Sequence, residues 1–326
     1  MEYRRLFNSK SLMVAAVVIL LVVLTTYNSS PELHNHPVAY SRAGTDRQPD
    51  EVTLPTCSDS GEDKNCMKSR LPKCLIIGFA KCGTYSLIAF LAMHPDIVTA
   101  KREIKFFNEN YDKGLNWYAE QMPPSGSSQI TIEKTPGYIL SKTTLDRIHE
   151  YNSSIKLIVI VRDPVIRLPS SYAHQEGKRN IPSFPKWFRS VNFTDRMNYF
   201  QYISVVYKVF PKDQILVLCE EQLEDDPLSV MRDVEQFLGI RQAFKEDHFI
   251  FNEDKGFYCF NTSYPRFREL SDVLRVVPAT GCFSNAKGRV HPDISPALLR
   301  EMASIATKYN EQLFALIGKR FNWTEP

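Results

Sequence analysis

The sequence predicts an α/β domain with a parallel central sheet flanked by helices, standing behind an N-terminal transmembrane anchor. Three observations carry this. A nearly uninterrupted apolar run, residues 12–24, follows Arg4, Arg5 and Lys10. Short apolar stretches at 74–77, 129–133, 155–161 and 214–219 alternate with stretches of helical period, as strands joined by crossover helices do. The first of these stretches enters a helix through a glycine-bearing turn, and such sheets take their ligands at the carboxyl ends of the strands.

A chain of 326 residues, 43% hydrophobic and 24% charged, suits one large globular domain with short appendages. The net charge of +3 is too small to mark a polyanion-binding protein by itself, although local basic clusters can still serve that purpose. Residues 1–10 read as a cytoplasmic tail and 11–27 as a signal anchor. A cleaved signal peptide is the alternative, but no small-x-small site follows the run. Positive charge before the run and little after it sends the rest of the chain into a lumen, as a single-pass type II protein.

Sequons at Asn28, Asn152, Asn192, Asn261 and Asn322 are usable only in that compartment. Seven cysteines permit disulfides there, and the odd count leaves at least one thiol outside an internal pair. Residues 28–70 are rich in Ser, Pro, Asp, Glu and His without a hydrophobic period and read as a stem. Cys57 and Cys66 lie in it, and whether they pair is open. The globular domain is expected over 71–326.

In "CLIIGFAKCGTYSLIAFLAMHP" a buried strand, a turn through Gly78, Lys81 and Gly83, and a helix over 84–93 make an anion site. Amide N–H groups and the helix dipole face the anion, glycine admits the backbone, and Lys81 adds a full charge. Lysine precedes the second glycine, so this is not a Walker A loop; an ordinary βα turn is the plainer alternative. The strand "IKLIVIV" ends in Arg162-Asp163-Pro164, followed by Arg167, Ser170 and Ser171, a place to hold a second phosphate. Helices are predicted over 226–238 and 296–317. In the second, Ser295 caps, Pro296 opens the first turn, and Leu298, Leu299, Met302, Ile305, Tyr309, Leu313 and Phe314 form the buried face. The histidines show no metal-ligand spacing, so no metal site is indicated.

The stretches "IIGFAKCGTYSL", "HPDIVTAKREIKFFNENYDKGLNWYAEQMP", "ITIEKTPGYI", "SSIKLIVIVRDPVIR", "DKGFYCF", "NAKGRVHP" and "GKRFNW" resemble, in order, the heparan sulfate sulfotransferases of the Golgi, and most of all the glucosamine 3-O-sulfotransferases. The resemblance covers roughly 71–323. It implies a P-loop-like nucleotide-binding sulfotransferase fold and 3′-phosphoadenosine 5′-phosphosulfate (PAPS) as sulfuryl donor, with no metal. It also implies a heparan sulfate acceptor and a place in the Golgi membrane with the catalytic domain lumenal. By position, Lys81, Cys82, Gly83, Thr84 and Tyr85 match the 5′-phosphosulfate loop, and Arg162 and Ser170 the 3′-phosphate site. Lys287, Gly288, Arg289 and Tyr258 match the lid, which a Cys259–Cys282 disulfide ties. The loop between those cysteines is longer than the family's.

Sulfuryl transfer to a hydroxyl needs a base for its proton and positive charge on the transferred and departing oxygens. Glu103 in "KREIKFF" matches the family's base, Lys81 stands by the leaving group, and Lys134 in "EKTPGY" matches a residue near the transferred group. Acceptor contacts are expected from Lys101, Arg102, Glu103, Lys105, Asn108, Lys134, His174 and Lys178, with Arg179 as a further basic candidate, because a sulfated polysaccharide is held by salt-sensitive ion pairs. No base-stacking motif points to nucleic acid. Lys105 and Asn108 replace the family's usual His and Asp, and His174 its usual Gln. These changes resemble the N-sulfotransferases, so transfer to nitrogen or to another glycan is the rival expectation. A nucleotide kinase lacks its Gly-Lys-Ser/Thr, and intact Lys81 and Glu103 disfavour a non-catalytic heparin-binding protein.

Overall fold

The computed structural model describes residues 66–176, 180–190, 196–271, 274–283 and 291–324. The anchor and tail expectations, the stem through residue 65, Asn28, Cys57, Lys178, Arg179, Asn192, Lys287, Gly288 and Arg289 therefore lie outside the described residues. Among the described residues no helix is long and apolar enough to cross a membrane. By backbone contacts 1–54 separates from 55–326, and everything below concerns the second unit.

Two-residue strands β1 (Lys68–Ser69) and β4 (Pro124–Ser125) pair antiparallel at one border. Thus residues 66–70, expected in the stem, pack on the domain: Cys66 is buried and disulfide-bonded, and Ser69 Oγ donates to the Met122 carbonyl at 2.9 Å. The central sheet contains β2 (Cys74–Gly78), β3 (Ile97–Thr99), β5 (Ile130–Lys134), β6 (Lys156–Val161) and β7 (Ile215–Cys219) in the order β3-β5-β2-β6-β7. All of its pairings are parallel. Apolar residues on both faces of β2 and β6 are what a sheet covered on both sides requires. After β2 the chain adds strands on one side, then returns to add β6 and β7 on the other, so the order reverses at β2, where such folds keep a crevice for ligands.

Helices fill the connections. Thr84–Ala92 and Pro227–Leu238 form as expected, the latter capped by Asp226, which accepts from the Ser229 amide. The helix Pro296–Ile317 is capped by Ser295 accepting from the Leu298 amide at 3.3 Å. It packs on helices Tyr199–Val209 and Pro164–Glu176. Its buried stripe runs through Leu298, Met302, Ala303, Ala306, Asn310, Leu313 and Phe314. Leu299, expected in the core, is 39% exposed, and Ile305 and Tyr309 are only partly buried.

The long segment between Cys259 and Cys282 has structure of its own. It leaves from a hairpin of β8 (Phe249–Asn252) and β9 (Phe257–Phe260), which carries Cys259; within it a short helix covers Pro265–Leu270, and β10 (Val276–Val277) pairs with β11 (Cys282–Phe283). Cys259 and Cys282 are bonded to each other. Cys74, Cys82 and Cys219 are free and buried.

Candidate active site

The strand register assembles the site. Ile76 pairs with Lys134 on one side and Ile158 on the other, so the loop after β2 emerges between the ends of β5 and β6. In that loop Lys81 takes φ 68 and Gly83 φ 70, a left-handed turn that aims the helix start at the crevice. Gly83 is required twice over, since a Cβ there would also stand 2.6 Å from Glu220 Cγ. Arg167 braces the loop from below, donating from Nε to the Ala80 carbonyl at 2.9 Å and from Nη1 to the Arg196 carbonyl at 2.7 Å.

The loop residues do not all present side chains to the crevice. Cys82 is buried with Sγ 3.4 Å from the Tyr199 hydroxyl, and its amide donates to the Phe79 carbonyl at 3.3 Å. Burial pushes its thiol up to about 11 despite the charge of Arg167, so it is not a thiolate nucleophile. Tyr85 points the other way. Its hydroxyl accepts from the Arg275 amide at 2.6 Å, its ring meets Phe283 edge-on, and it lines an apolar cavity with Ile88, Leu270 and Leu274. What Tyr85 offers an anion is its first-turn amide. That side-chain clasp also secures the long segment to the loop helix.

Val161 pairs with Cys219, so the residues after β6 and β7 lie side by side: Arg162 Nε is 2.7 Å from Glu220 Oε2. Ser170 and His174 follow one turn apart on the helix Pro164–Glu176, both half-buried. His291, just past the "KGR" segment, is held below its ordinary range by burial and then by the charges of Arg162 and Lys81, which locates these cations around one mouth. Tyr258, Phe257, Phe283, Glu220 and Ser86 line a small pocket at the same helix start. Ser86 Oγ is buried there without a hydrogen-bond partner among the described residues. The two cations and the helix N-terminus suit phosphates, and the aromatic pocket beside them, lined also by Glu220 and Glu224 and by neither cation, suits the uncharged part of a nucleotide. Ser86 was not legible as a site residue.

On the opposite side of β2 stands the candidate base. Lys134 Nζ donates to Glu103 Oε1 at 2.6 Å; the lysine side chain is 11% exposed and the glutamate 40%, so the pair opens to solvent on the carboxylate side. The backbone around Glu103 is held by three bonds. The Ile104 amide donates to Glu133 Oε1 at 3.2 Å, the Lys105 amide to Thr135 Oγ1 at 3.2 Å, and Asn110 Nδ2 to the Ile104 carbonyl at 2.9 Å. Glu133 is fully buried. Burial raises its carboxyl to about 7, a rise moderated by hydrogen bonds from Thr135 and the Ile104 amide and by the charge of Lys134.

Of the other acceptor candidates, Lys101 and Arg102 are exposed, with Arg102 Nη2 donating to Gln121 Oε1 at 3.0 Å. Lys105 pairs with Glu109 at 3.0 Å, and exposed Asn108 stands over Gly137. Asp163, read with the phosphate site, belongs to the fold: it is 1% exposed, and its oxygens accept from the Val165 amide, the Thr324 amide and the Thr324 hydroxyl. Of the sequons, Asn322 is exposed and Asn152 half-buried. Asn261 Nδ2 donates to the Asp247 carbonyl at 2.7 Å, a bond a glycan would have to displace. Among the described residues no group of three His, Cys, Asp or Glu could hold a metal.

The profile of the sulfotransferase domain matches residues 71–275. The chain is 34% identical over 272 residues to mouse heparan sulfate glucosamine 3-O-sulfotransferase 3B1, covering 78% of itself and 65% of that protein's length. It is 34% identical over 271 residues to human heparan sulfate glucosamine 3-O-sulfotransferase 5, covering 78% of itself and 74% of that protein. In fold it matches a sulfotransferase from Alicyclobacillus acidocaldarius with a TM-score of 0.56 at 21% identity, over 77% of this chain and 98% of the other. By the domain match over 71–275 and the identity to these relatives, the chain belongs to the sulfotransferases, in the family of the heparan sulfate glucosamine 3-O-sulfotransferases.

Proposed function

We propose that this protein transfers a sulfuryl group from PAPS to the 3-hydroxyl of glucosamine residues in heparan sulfate. The observation that carries the reading is the Glu103–Lys134 pair at 2.6 Å, set at the carboxyl end of β5 beside the loop of Lys81. The names of the relatives supply the acceptor class. When bound, the donor supplies an activated sulfuryl group on a phosphate that departs as an anion. Lys81, the helix start at Thr84 and Ser86, and Arg162 would hold its phosphates, with Tyr258 along the nucleotide. Glu103 takes the proton from the acceptor hydroxyl, and Lys134 fixes the carboxylate that receives it. Lys101 and Arg102, exposed beside the base, offer charge to the sulfated chain.

The decisive assay offers N-sulfated, fully N-acetylated and N-unsubstituted heparan in parallel with labelled donor and maps each product by disaccharide analysis. New 3-O-sulfate in the N-sulfated chain alone is expected. N-sulfoglucosamine formed from the N-unsubstituted chain, without 3-O-sulfate elsewhere, would instead establish the N-sulfating reading that Lys105, Asn108 and His174 resemble. We place the protein in the Golgi membrane, anchored by residues 11–27 with its catalytic domain lumenal; a soluble protein after carbonate extraction of Golgi membranes would reject this.

A further inference from the structure

The geometry points to Glu133 as the positioning residue that sets where the Glu103 base stands, by accepting the backbone amide of the residue next to it. This rests on the reading of Glu103 as base. Glu133 lies on β5 next to Lys134, on the strand whose pairing with β2 fixes its height in the sheet. Its Oε1 accepts from the Ile104 amide at 3.2 Å and from Thr135 Oγ1 at 2.5 Å. Thr135 Oγ1 in turn accepts from the Lys105 amide. Its Oε2 accepts from the Tyr118 hydroxyl at 3.4 Å, and Tyr118 stacks on Phe106 with ring centroids 4.3 Å apart and planes 5° from parallel. One buried carboxyl therefore touches the chain on both flanks of the Lys105 turn.

That turn needs holding. Lys105 has φ 56, a left-handed conformation that a non-glycine residue keeps only where its surroundings impose it, at a cost of about 1–3 kcal/mol. The two residues after Glu103 supply the amides that Glu133 and Thr135 receive. Lys134 thus grips the side chain of the base while Glu133 grips its backbone, from successive residues of one strand. An isolated buried acid would be costly, and three donors converging on it make it the hub of a polar network.

The test uses the complete lumenal protein with Glu133→Gln, Glu133→Leu and Thr135→Val. Glutamine keeps an Oε1 acceptor for Ile104 and should retain turnover within roughly threefold. Leucine leaves the amide unpaired and should lower kcat about 100-fold, the loss associated with a misplacement near 1 Å, while the donor KM changes less than threefold. Thr135→Val, which frees the Lys105 amide and removes the hydroxyl's bond to Glu133 but leaves the Ile104 amide on Glu133, should lower kcat about tenfold at unchanged donor KM; it serves if the leucine variant fails to fold. In a Glu103→Gln background the leucine change should add little, since it acts through Glu103. Near-normal kcat in Glu133→Leu, an equal rise in donor KM, or full additivity with Glu103→Gln would overturn the assignment. Amide hydrogen exchange over 100–110, faster in Glu133→Leu than in the parent, reads the restraint without any activity. Unchanged exchange would refute the restraint itself. Accelerated exchange in a protein whose parent sulfates no heparan would leave the restraint standing and reject the functional reading.

Discussion

Asp163→Asn separates a structural arginine-aspartate-proline turn from a phosphate-binding one. In the parent, Asp163 Oδ1 accepts from the Val165 amide at 2.8 Å and caps the helix Pro164–Glu176, while Oδ2 accepts from the Thr324 amide at 2.8 Å and from the Thr324 hydroxyl. Asparagine can keep the Val165 bond through its carbonyl. Its Nδ2 then faces the Thr324 amide, donor against donor, although the hydroxyl can turn to accept. One charge-assisted bond at about 1.5–3 kcal/mol is lost, while the Thr324 amide, on an exposed residue, turns to water at little further cost, so a loss of about 2 kcal/mol follows. For a domain of this size that is roughly 4–8 °C in Tm. Thermal melts and urea titrations at pH 7 are the assay. The same substitution in a chain ending at Trp323 should cost much less, because the opposing amide is gone. A full-length variant that melts within 2 °C of the parent, or equal losses in both chains, would refute the clamp between β6 and the C-terminus.

Other outcomes follow from the same geometry. Arg162→Ala should raise the donor KM at least tenfold and the acceptor KM little, since Arg162 shares its mouth with Lys81; a rise confined to the acceptor would remove it from the donor site. Replacing Cys259 and Cys282 together by serine should cost roughly 3 kcal/mol in urea unfolding, from a sequence separation of 23, and no loss would mean the bond restrains little. Glu133 is raised from 4.5 to about 7, so its neutral form favours the fold: its contribution is complete below pH 4.5 and is lost as pH rises through 7. Glu133→Gln cannot titrate, so its stability relative to the parent should climb between pH 5 and 8 by up to about 3 kcal/mol, and a pH-independent difference would show that the parent carboxyl does not titrate there.

Strands β2, β6 and β7 were legible because their residues are apolar on both faces, and such runs end where polarity resumes; β5, although it carries Thr131, Glu133 and Lys134, also falls within a residue of its expected bounds. Strand β3 was not, because three residues at the sheet edge carry too few positions for a period. Leu299 shows a related limit. Helical spacing says which residues share a face, but not where the neighbouring helix stops covering it, and in the first turn only Leu298 of the pair is buried. The roles of Glu133 and Glu220 had a signal that went unused: an acid within or directly after a strand of a doubly covered sheet must find donors.

What composition could not reveal was backbone conformation. Two lysines of the candidate site, Lys81 and Lys105, have φ 68 and φ 56, where glycine would be the sterically easy choice. At Lys81 the left-handed turn presents the helix start to the anion mouth, and a cation at the bend places full charge where glycine would leave none. At Lys105 the same conformation turns the chain so that the amides of Ile104 and Lys105 both face into β5, against Glu133 and Thr135. A relaxed backbone at either position would release one wall of the crevice. The strained lysines are therefore tolerated where two walls must be held at fixed separation, and the groups that hold the Lys105 wall, Glu133 on β5 and Thr135 just past its end, stand where the pairing of β5 with β2 already fixes the backbone.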